Sequence, residues 1–284
     1  MKDTLIYSKQ TFNFKGILRS FERPLVMGII NSTPDSFYQN SRIQNLDGLL
    51  VRVDKMISEG VDIIDVGGYS SRPGAVDISV DEEILRVVPV IKLIHEKYPE
   101  LLISIDTFRS KVAAEALAAG ASVINDISGG VQDEEIFEVA ATNNAPYILM
   151  HMKGTPQTMV SLSNYENLIN ELVLYFSTQI DKAKKAGVKD IILDPGFGFS
   201  KNIQQNFELL NQLEQLTLFN LPLLVGISRK SMIYKTLGIS PEESLNGTTV
   251  LNTIALMKGA SVLRVHDVKE AREVLEMVGF LGWV

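Results

Sequence analysis

A chain of 284 residues is close to the ~250 typical of one α/β barrel, and its 45% apolar content suffices for a single large core. A formal net charge of −7 argues against a broad nucleic-acid or anionic-membrane surface, although it leaves room for a small cationic pocket. With no cysteine and three histidines, disulfides, thiolate nucleophiles and Cys- or His-built metal sites drop out, so any metal is expected to be Mg²⁺ on oxygen ligands and substrate phosphates.

The N-terminus, Met1–Ile6, carries an early acid and too short an apolar stretch for a signal peptide. No apolar run approaches the ~20 residues of a membrane span, so a cytoplasmic protein without membrane or nucleic-acid partners is expected. Weak alternation from Leu5 to Phe14, then a basic stretch up to Pro24, predicts a hairpin extension within residues 1–23 that covers the bottom of a barrel. Leu25–Ile30 reads as the first core strand, ending at Asn31, and Leu46–Gly60 has helical spacing with glycine as C-cap.

Strand and helix then alternate. Val61–Val66 precedes a helix over Val80–Tyr98, and Leu101–Ile105 precedes the alanine-rich Ser110–Ala119. Ser122–Ile127 leads to a helix over Asp133–Asn143, and Tyr147–Met152 to a long one over Asn164–Ala186. Asp190–Leu193 is followed by Ile203–Leu218, and Leu221–Ile227 by helical segments on both sides of Gly238–Pro241. Ser261–Val265 and a helix over Lys269–Val278 complete about eight βα units without a linker, read as one domain over residues 1–284. Repeated βα units imply parallel strands with right-handed crossovers. An open doubly wound sheet usually has a glycine-rich turn after its first strand. This chain has Asn31-Ser32-Thr33-Pro34 there, and a (β/α)8 TIM barrel is expected instead.

Polar residues end strand after strand, and in such a barrel they gather at one rim. Asp106, Asn125 and Asp194 end three strands; singly each is an ordinary cap or turn residue, but together they form a set of acceptors with one amide. A carboxylate matches two adjacent N–H donors, so the set suits a flat polar heterocycle. Ser228-Arg229-Lys230-Ser231 opens a helix whose positive pole repels cations, and anion binding would explain them, with Ser231 placed for a carboxylate. A Schiff base on Lys230 is the competing reading. Arg264 and His266 lie two apart on one strand face, as an oxyanion or phosphate clamp would, while Asp267 faces away and caps the last helix. Two long loops, Asn31–Phe37 and Gly67–Gly74, combine hydroxyls, charge and turn residues; Arg72 is placed for an anion and Asp35 for a metal or amine.

Met27–Phe37 and Asp65–Gly68 through Arg72-Pro73-Gly74 resemble the two signatures of the dihydropteroate synthase family of pterin-binding enzymes. The similarity continues in order through Ser104–Thr107, Ile124–Asp126, Leu149–Met152, Leu193–Phe199, Ser228–Ser231 and Arg264–Asp267. The resemblance implies a cytoplasmic, dimeric, Mg²⁺-dependent transferase of folate biosynthesis and a sulfonamide target. Such an enzyme joins p-aminobenzoate to 6-hydroxymethyl-7,8-dihydropterin diphosphate. It also implies that Asp106, Asn125, Asp194 and Lys230 hold the pterin, with Met150, Phe199 and Gly226 lining its pocket. Asn31, Arg264 and His266 would hold the diphosphate, with Asn31 on the metal. Asp35, Phe37, Ser71, Arg72 and Pro73 would close over the site, Ser71 and Arg72 toward the diphosphate and Phe37, Ser71 and Pro73 toward the aminobenzoate. Ser231 would take the aminobenzoate carboxylate beside Ser228, and Asp35, Lys230, Arg264 and His266 would carry catalysis. The chain departs from the pattern at Tyr69-Ser70-Ser71, where Glu-Ser-Thr is usual, and at Tyr38-Gln39-Asn40. A methyltransferase acting on methyltetrahydrofolate, or a non-catalytic pterin-binding paralogue, would share the pterin floor.

Overall fold

The structure is a computed structural model that describes residues 10–32, 42–70 and 76–282. It opens on an antiparallel hairpin, β1 (Gln10–Phe14) and β2 (Ile17–Phe21), whose two-residue turn has positive φ at both Lys15 (51°) and Gly16 (91°). That turn twists with the strands it joins.

The main body alternates β3 (Leu25–Asn31), α1 (Arg42–Ser58), β4 (Ile63–Gly67), α2 (Val80–Lys97), β5 (Leu102–Asp106) and α3 (Ser110–Ala119). It continues through β6 (Val123–Asp126), α4 (Glu135–Thr142), β7 (Tyr147–Met150), α5 (Leu168–Lys185), β8 (Ile191–Asp194) and α6 (Ile203–Asn211). β9 (Leu223–Val225), α7 (Ser231–Leu237), α8 (Leu245–Met257), β10 (Ala260–Val265) and α9 (Val268–Phe280) follow. Strands β3 to β10 are parallel and close into a barrel, with β10 hydrogen-bonded to β3 on one side and to β9 on the other. The expected (β/α)8 barrel with an N-terminal hairpin is therefore what the chain forms.

Because side chains alternate along a strand, each barrel strand sends every second residue inward. At the N-terminal end these are apolar: Ile63, Leu102, Val123, Ile148, Ile192, Leu224 and Val262 pack with Leu25, Met27 and the hairpin's Phe12 and Phe14 in one buried cluster. The hairpin thus plugs the bottom, as its alternation suggests, and the Asn13 amide fastens it by donating to the Asp190 carboxylate at 2.7 Å. Outward residues such as Ile64, Ile103, Ile124 and Leu193 join the helices in the larger core layer.

Helix bounds move at their polar ends. The expected helix over Ile203–Leu218 stops at Asn211 and tightens into a 3-10 segment, Leu213–Phe219. Three residues per turn stack Leu213 on Leu216, and both are buried. The helix expected from Asn164 begins at Leu168 instead, where the Asn167 side chain accepts from the Asn170 amide and caps it.

Candidate active site

Two residues above the apolar layer, the inward positions become polar. Asp65, Ser104, Asn125, Asp194 and Arg264 stand on five strands, with Met150 on a sixth and Gly226 just past the end of β9. Asp65 is fully buried. Its Oδ2 accepts from Arg264 Nε at 2.7 Å and from Asn125 Nδ2 at 3.0 Å. The other arm of Arg264 donates through NH2 to Asp106 Oδ2 at 2.7 Å. One guanidinium thus ties three strands and fixes two carboxylates, one of which also accepts from the Asn125 amide. Burial pushes the Asp106 carboxyl up to about 7 against the pull of Arg264, with Asp65 adding to the rise. For Arg264, burial works against the charge, but Asp65 and Asp106 outweigh it and hold the guanidinium protonated.

Asp194 lies across the mouth, 6% exposed, with Oδ1 accepting from the Gly196 amide at 2.7 Å. Its carboxyl is raised by burial and lowered by Lys230 and Arg264. Lys230, the residue before α7, lays its chain along Gly198, donates to the Phe197 carbonyl and sets Nζ 4.8 Å from the Phe199 ring centre. Gly226 leaves the space that Lys230 Nζ and the Arg264 stem approach; a Cβ there would lie 3.9 and 3.8 Å from them. Burial lowers the Lys230 amine to about 8, with Asp194 opposing. An apolar wall of Phe108, Ile127, Met150, Met152 and Met159, with Tyr69 and Phe199 against it, completes the mouth.

His266 and Ser228 form the next step of the rim. Ser228 is buried and its Oγ lies 3.1 Å from His266 Nδ1 while accepting the His266 amide at 3.2 Å. Burial and then Arg264 push the imidazole down to about 4. A ring so depressed carries no charge at pH 7, which leaves its nitrogens to hydrogen bonding. Titrated by NMR, the free protein should show this ring protonating near pH 4; a midpoint near 6.5 would mean the ring is solvated and free of Arg264.

Residues from β3, β5, β6, β7, β8, β9 and β10 that the sequence singles out, namely Asn31, Asp106, Asn125, Met150, Asp194, Gly226, Arg264 and His266, all stand at this C-terminal end. Ser231 is half-buried at the first position of α7. Asp35, Phe37, Ser71, Arg72 and Pro73 lie outside the described residues. Two expectations are corrected. Asp267 occupies the N-cap position of α9 but makes no capping bond; its carboxylate takes Arg229 instead, from Nε at 2.9 Å and from NH2 at 2.7 Å. Arg229, at φ 54°, is thereby turned out of the basic cluster, which leaves Lys230 as its cation at the mouth.

Sequence reasoning noted Asp65 only as part of a signature string and gave it no role, and it passed over Lys201. Asp65 carried a signal: a lone carboxylate inside an apolar strand, in the inward phase two residues before Gly67, needs a buried cation. Lys201 follows the Phe197-Gly198-Phe199-Ser200 turn and resembles a solvated residue, yet it is 8% exposed. Tyr69, where the chain departs from the pattern it resembles, bridges loops: its ring packs edge-on against Phe108 at 5.1 Å and its hydroxyl accepts from Gln157 at 2.7 Å.

Fold and site together define a barrel enzyme whose mouth carries a buried lattice of hydrogen-bond acceptors and donors. The pterin-binding enzyme family matches residues 27–266 of the chain. The dihydropteroate synthase of Escherichia coli (strain K12) is 43% identical over 266 residues, 93% of this chain and 94% of that protein. That of Synechocystis is 44% identical over 263 residues, 92% of this chain and 91% of that one. Among solved structures, the Yersinia pestis dihydropteroate synthase with a sulfonamide drug superposes with a TM-score of 0.89 at 40% identity, covering 96% of this chain and 99% of that one. The Xanthomonas albilineans dihydropteroate synthase with 4-aminobenzoic acid gives 0.88 at 33% identity, covering 98% and 100%. The chain belongs to the dihydropteroate synthase family of pterin-binding enzymes, and it is a transferase of that type.

Proposed function

We propose that the chain condenses 6-hydroxymethyl-7,8-dihydropterin diphosphate with p-aminobenzoate, giving 7,8-dihydropteroate and diphosphate. The observation that carries this reading is the Arg264–Asp65–Asp106–Asn125 lattice facing Asp194 and Lys230, a set whose acceptors match the amino and ring N–H edge of a pterin. The ring lies between this lattice and the Met150–Phe199 wall. In the reaction the methylene C–O bond breaks and its electron pair leaves with diphosphate, while the pterin ring donates electron density to the methylene carbon. The arylamine nitrogen then forms the C–N bond and loses a proton.

Charge grows on the departing diphosphate, so donors fixed there count for more in the transition state than in the ground state. Among the described residues, Arg264 NH1 has no hydrogen-bond partner, and the neutral His266 has Nε2 available besides Nδ1. Both serve the leaving group in this reading, with Asn31 at the exposed end of β3, and with Ser71 and Arg72 from the second loop. Ser231 receives the aminobenzoate carboxylate, with Phe37 and Pro73 over its ring and Asp35 near the amine. Ser228 acts through His266 rather than on the substrate.

Mg²⁺ fits this arrangement as a substrate-borne ion. Among the described residues no three carboxylates or histidines group as a metal cage, while Mg²⁺ commonly keeps waters and binds phosphates with one or two protein oxygens. Asn31 Oδ1 would be the protein donor, and the ion would supply charge neutralisation on the diphosphate. No described helix is long and apolar enough to cross a membrane. We place the enzyme in the cytoplasm, and as a homodimer paired through barrel helices. Val250 on α8 and Met277 and Phe280 on α9 are exposed apolar residues on neighbouring helices. Light scattering at micromolar concentration should give twice the chain mass; a monomer would rule out the pairing.

The test of the reaction is diphosphate release from the pterin diphosphate and Mg²⁺, with and without p-aminobenzoate. Release that requires the amine supports the synthase. Tight pterin binding without turnover would instead identify a non-catalytic pterin-binding protein, and methyl transfer from methyltetrahydrofolate a methyltransferase.

A further inference from the structure

Lys201 is a buried amine without a role in the reaction just described. Its Nζ donates to the Gly196 carbonyl at 3.0 Å and the Phe199 carbonyl at 3.1 Å, and lies 3.0 Å from His151 Nδ1. Three acceptors thus surround the three N–H bonds of one ammonium, and no carboxylate contacts it among the described residues. The neutral form of His151, 2% exposed and depressed by burial and by Lys201, leaves Nδ1 as an acceptor. The loop between β8 and α6 winds around this nitrogen. It needs Gly196 at φ 72°, because a Cβ there would stand 2.1 Å from the His151 carbonyl oxygen. Asp194 begins the loop, its carbonyl accepting from the His151 amide at 2.9 Å, and Phe199 sits near its end.

We propose that Lys201 is a positioning residue for pterin recognition: its buried ammonium ties the β8–α6 loop around itself, holding Asp194 and Phe199 in place at the mouth. The proposal rests on the pterin reading above. Burial lowers this amine to about 7, with Asp194 opposing and Lys230 and Lys153 adding to the fall, so it is charged throughout the acidic range. Asp194 faces Lys230, Arg264 and Lys201, all of which oppose the rise that burial imposes on its carboxyl. Asp106 titrates on the same floor, against Arg264 and Asp65.

Calorimetry with a diphosphate-free dihydropterin across pH 5–8 reads the effect. Lys201→Gln keeps a donor for the carbonyls but no charge. It is expected to bind about tenfold more weakly at pH 6, and its acidic loss of affinity should begin at higher pH, because Asp194 has lost a neighbouring cation. Lys201→Arg keeps the charge and should leave that limb in place. Unchanged affinity and an unmoved limb in Lys201→Gln overturn the proposal, whereas absence of pterin binding by the unmutated protein overturns the function instead. If neither variant folds, the unmutated protein decides: pterin should slow exchange of the Lys201 ammonium protons with water by NMR, and exchange that ignores pterin counts against the role.

Discussion

Replacing Arg264 with alanine should destabilise the barrel by about 3–5 kcal/mol, the range for stripping the partner from a buried charge. The reason is the company it keeps. Asp65 is fully buried, and its one engaged oxygen receives Arg264 and Asn125; without the guanidinium, a carboxylate is left inside the barrel with an amide alone. Asp106 loses its partner at the same time. For a chain of this size, such a loss lowers the melting temperature by about 10 °C. Adding Asp65→Asn to Arg264→Ala should restore part of it, because the stranded charge is gone. Turnover per folded molecule should fall at least a hundredfold, since both the lattice and a leaving-group donor disappear. Pterin affinity should fall as well, because Arg264 places Asp106 directly and Asn125 through their shared partner Asp65. A variant that melts with the unmutated protein in a thermal denaturation series would show that Arg264 holds nothing together.

Asp194→Asn should have the opposite balance, costing binding rather than stability. A carboxylate offers two acceptors to a ligand edge with two N–H donors, and hydrogen bonds to a charged group are worth about 1.5–3 kcal/mol each. The amide presents one donor where the ligand also donates, so pterin affinity should fall about a hundredfold or more. The fold should not suffer, because an amide need not shed the hydration that a buried carboxylate does. The sign follows from its titration: the Asp194 carboxyl is raised in the folded protein, chiefly by burial. Stability from such a group is present below its unfolded value and lost as pH rises through the folded one, so above that range the charged form is a net cost. Calorimetry and thermal denaturation at pH 8 test both halves. Affinity within threefold of the unmutated protein would remove Asp194 from the pterin edge.

Much of the barrel was legible because its signals are local. Apolar strands running into Asp106, Asn125, Asp194 and His266 show both the strand ends and the face on which they meet, since one rim collects every C-terminal end. The alternation of Phe12 and Phe14 was readable as a plug because aromatic residues in phase must be buried against something. What stayed hidden depends on pairing across the barrel. Arg264 and His266 share a face, as their spacing says, but spacing is silent on whether the guanidinium meets a substrate or a carboxylate, and Asp65 lies 199 positions away. Arg229 and Asp267 form a like case over 38 positions: each alone resembles a ligand contact or a cap, and only together do they account for one another. Lys201 was invisible because its acceptors are two backbone carbonyls and a ring nitrogen, none of which leaves a mark in sequence.

The 199-residue span between Arg264 and Asp65 also sets when recognition first exists. During synthesis Asp65 and Asp106 emerge long before their counterion, so burying them as carboxylates carries an uncompensated cost until the last barrel strand is made. Docking of β10 between β3 and β9 closes the last seam and delivers the missing charge in one event. Nascent chains that end short of Arg264 therefore have no half-strength version of the site to offer.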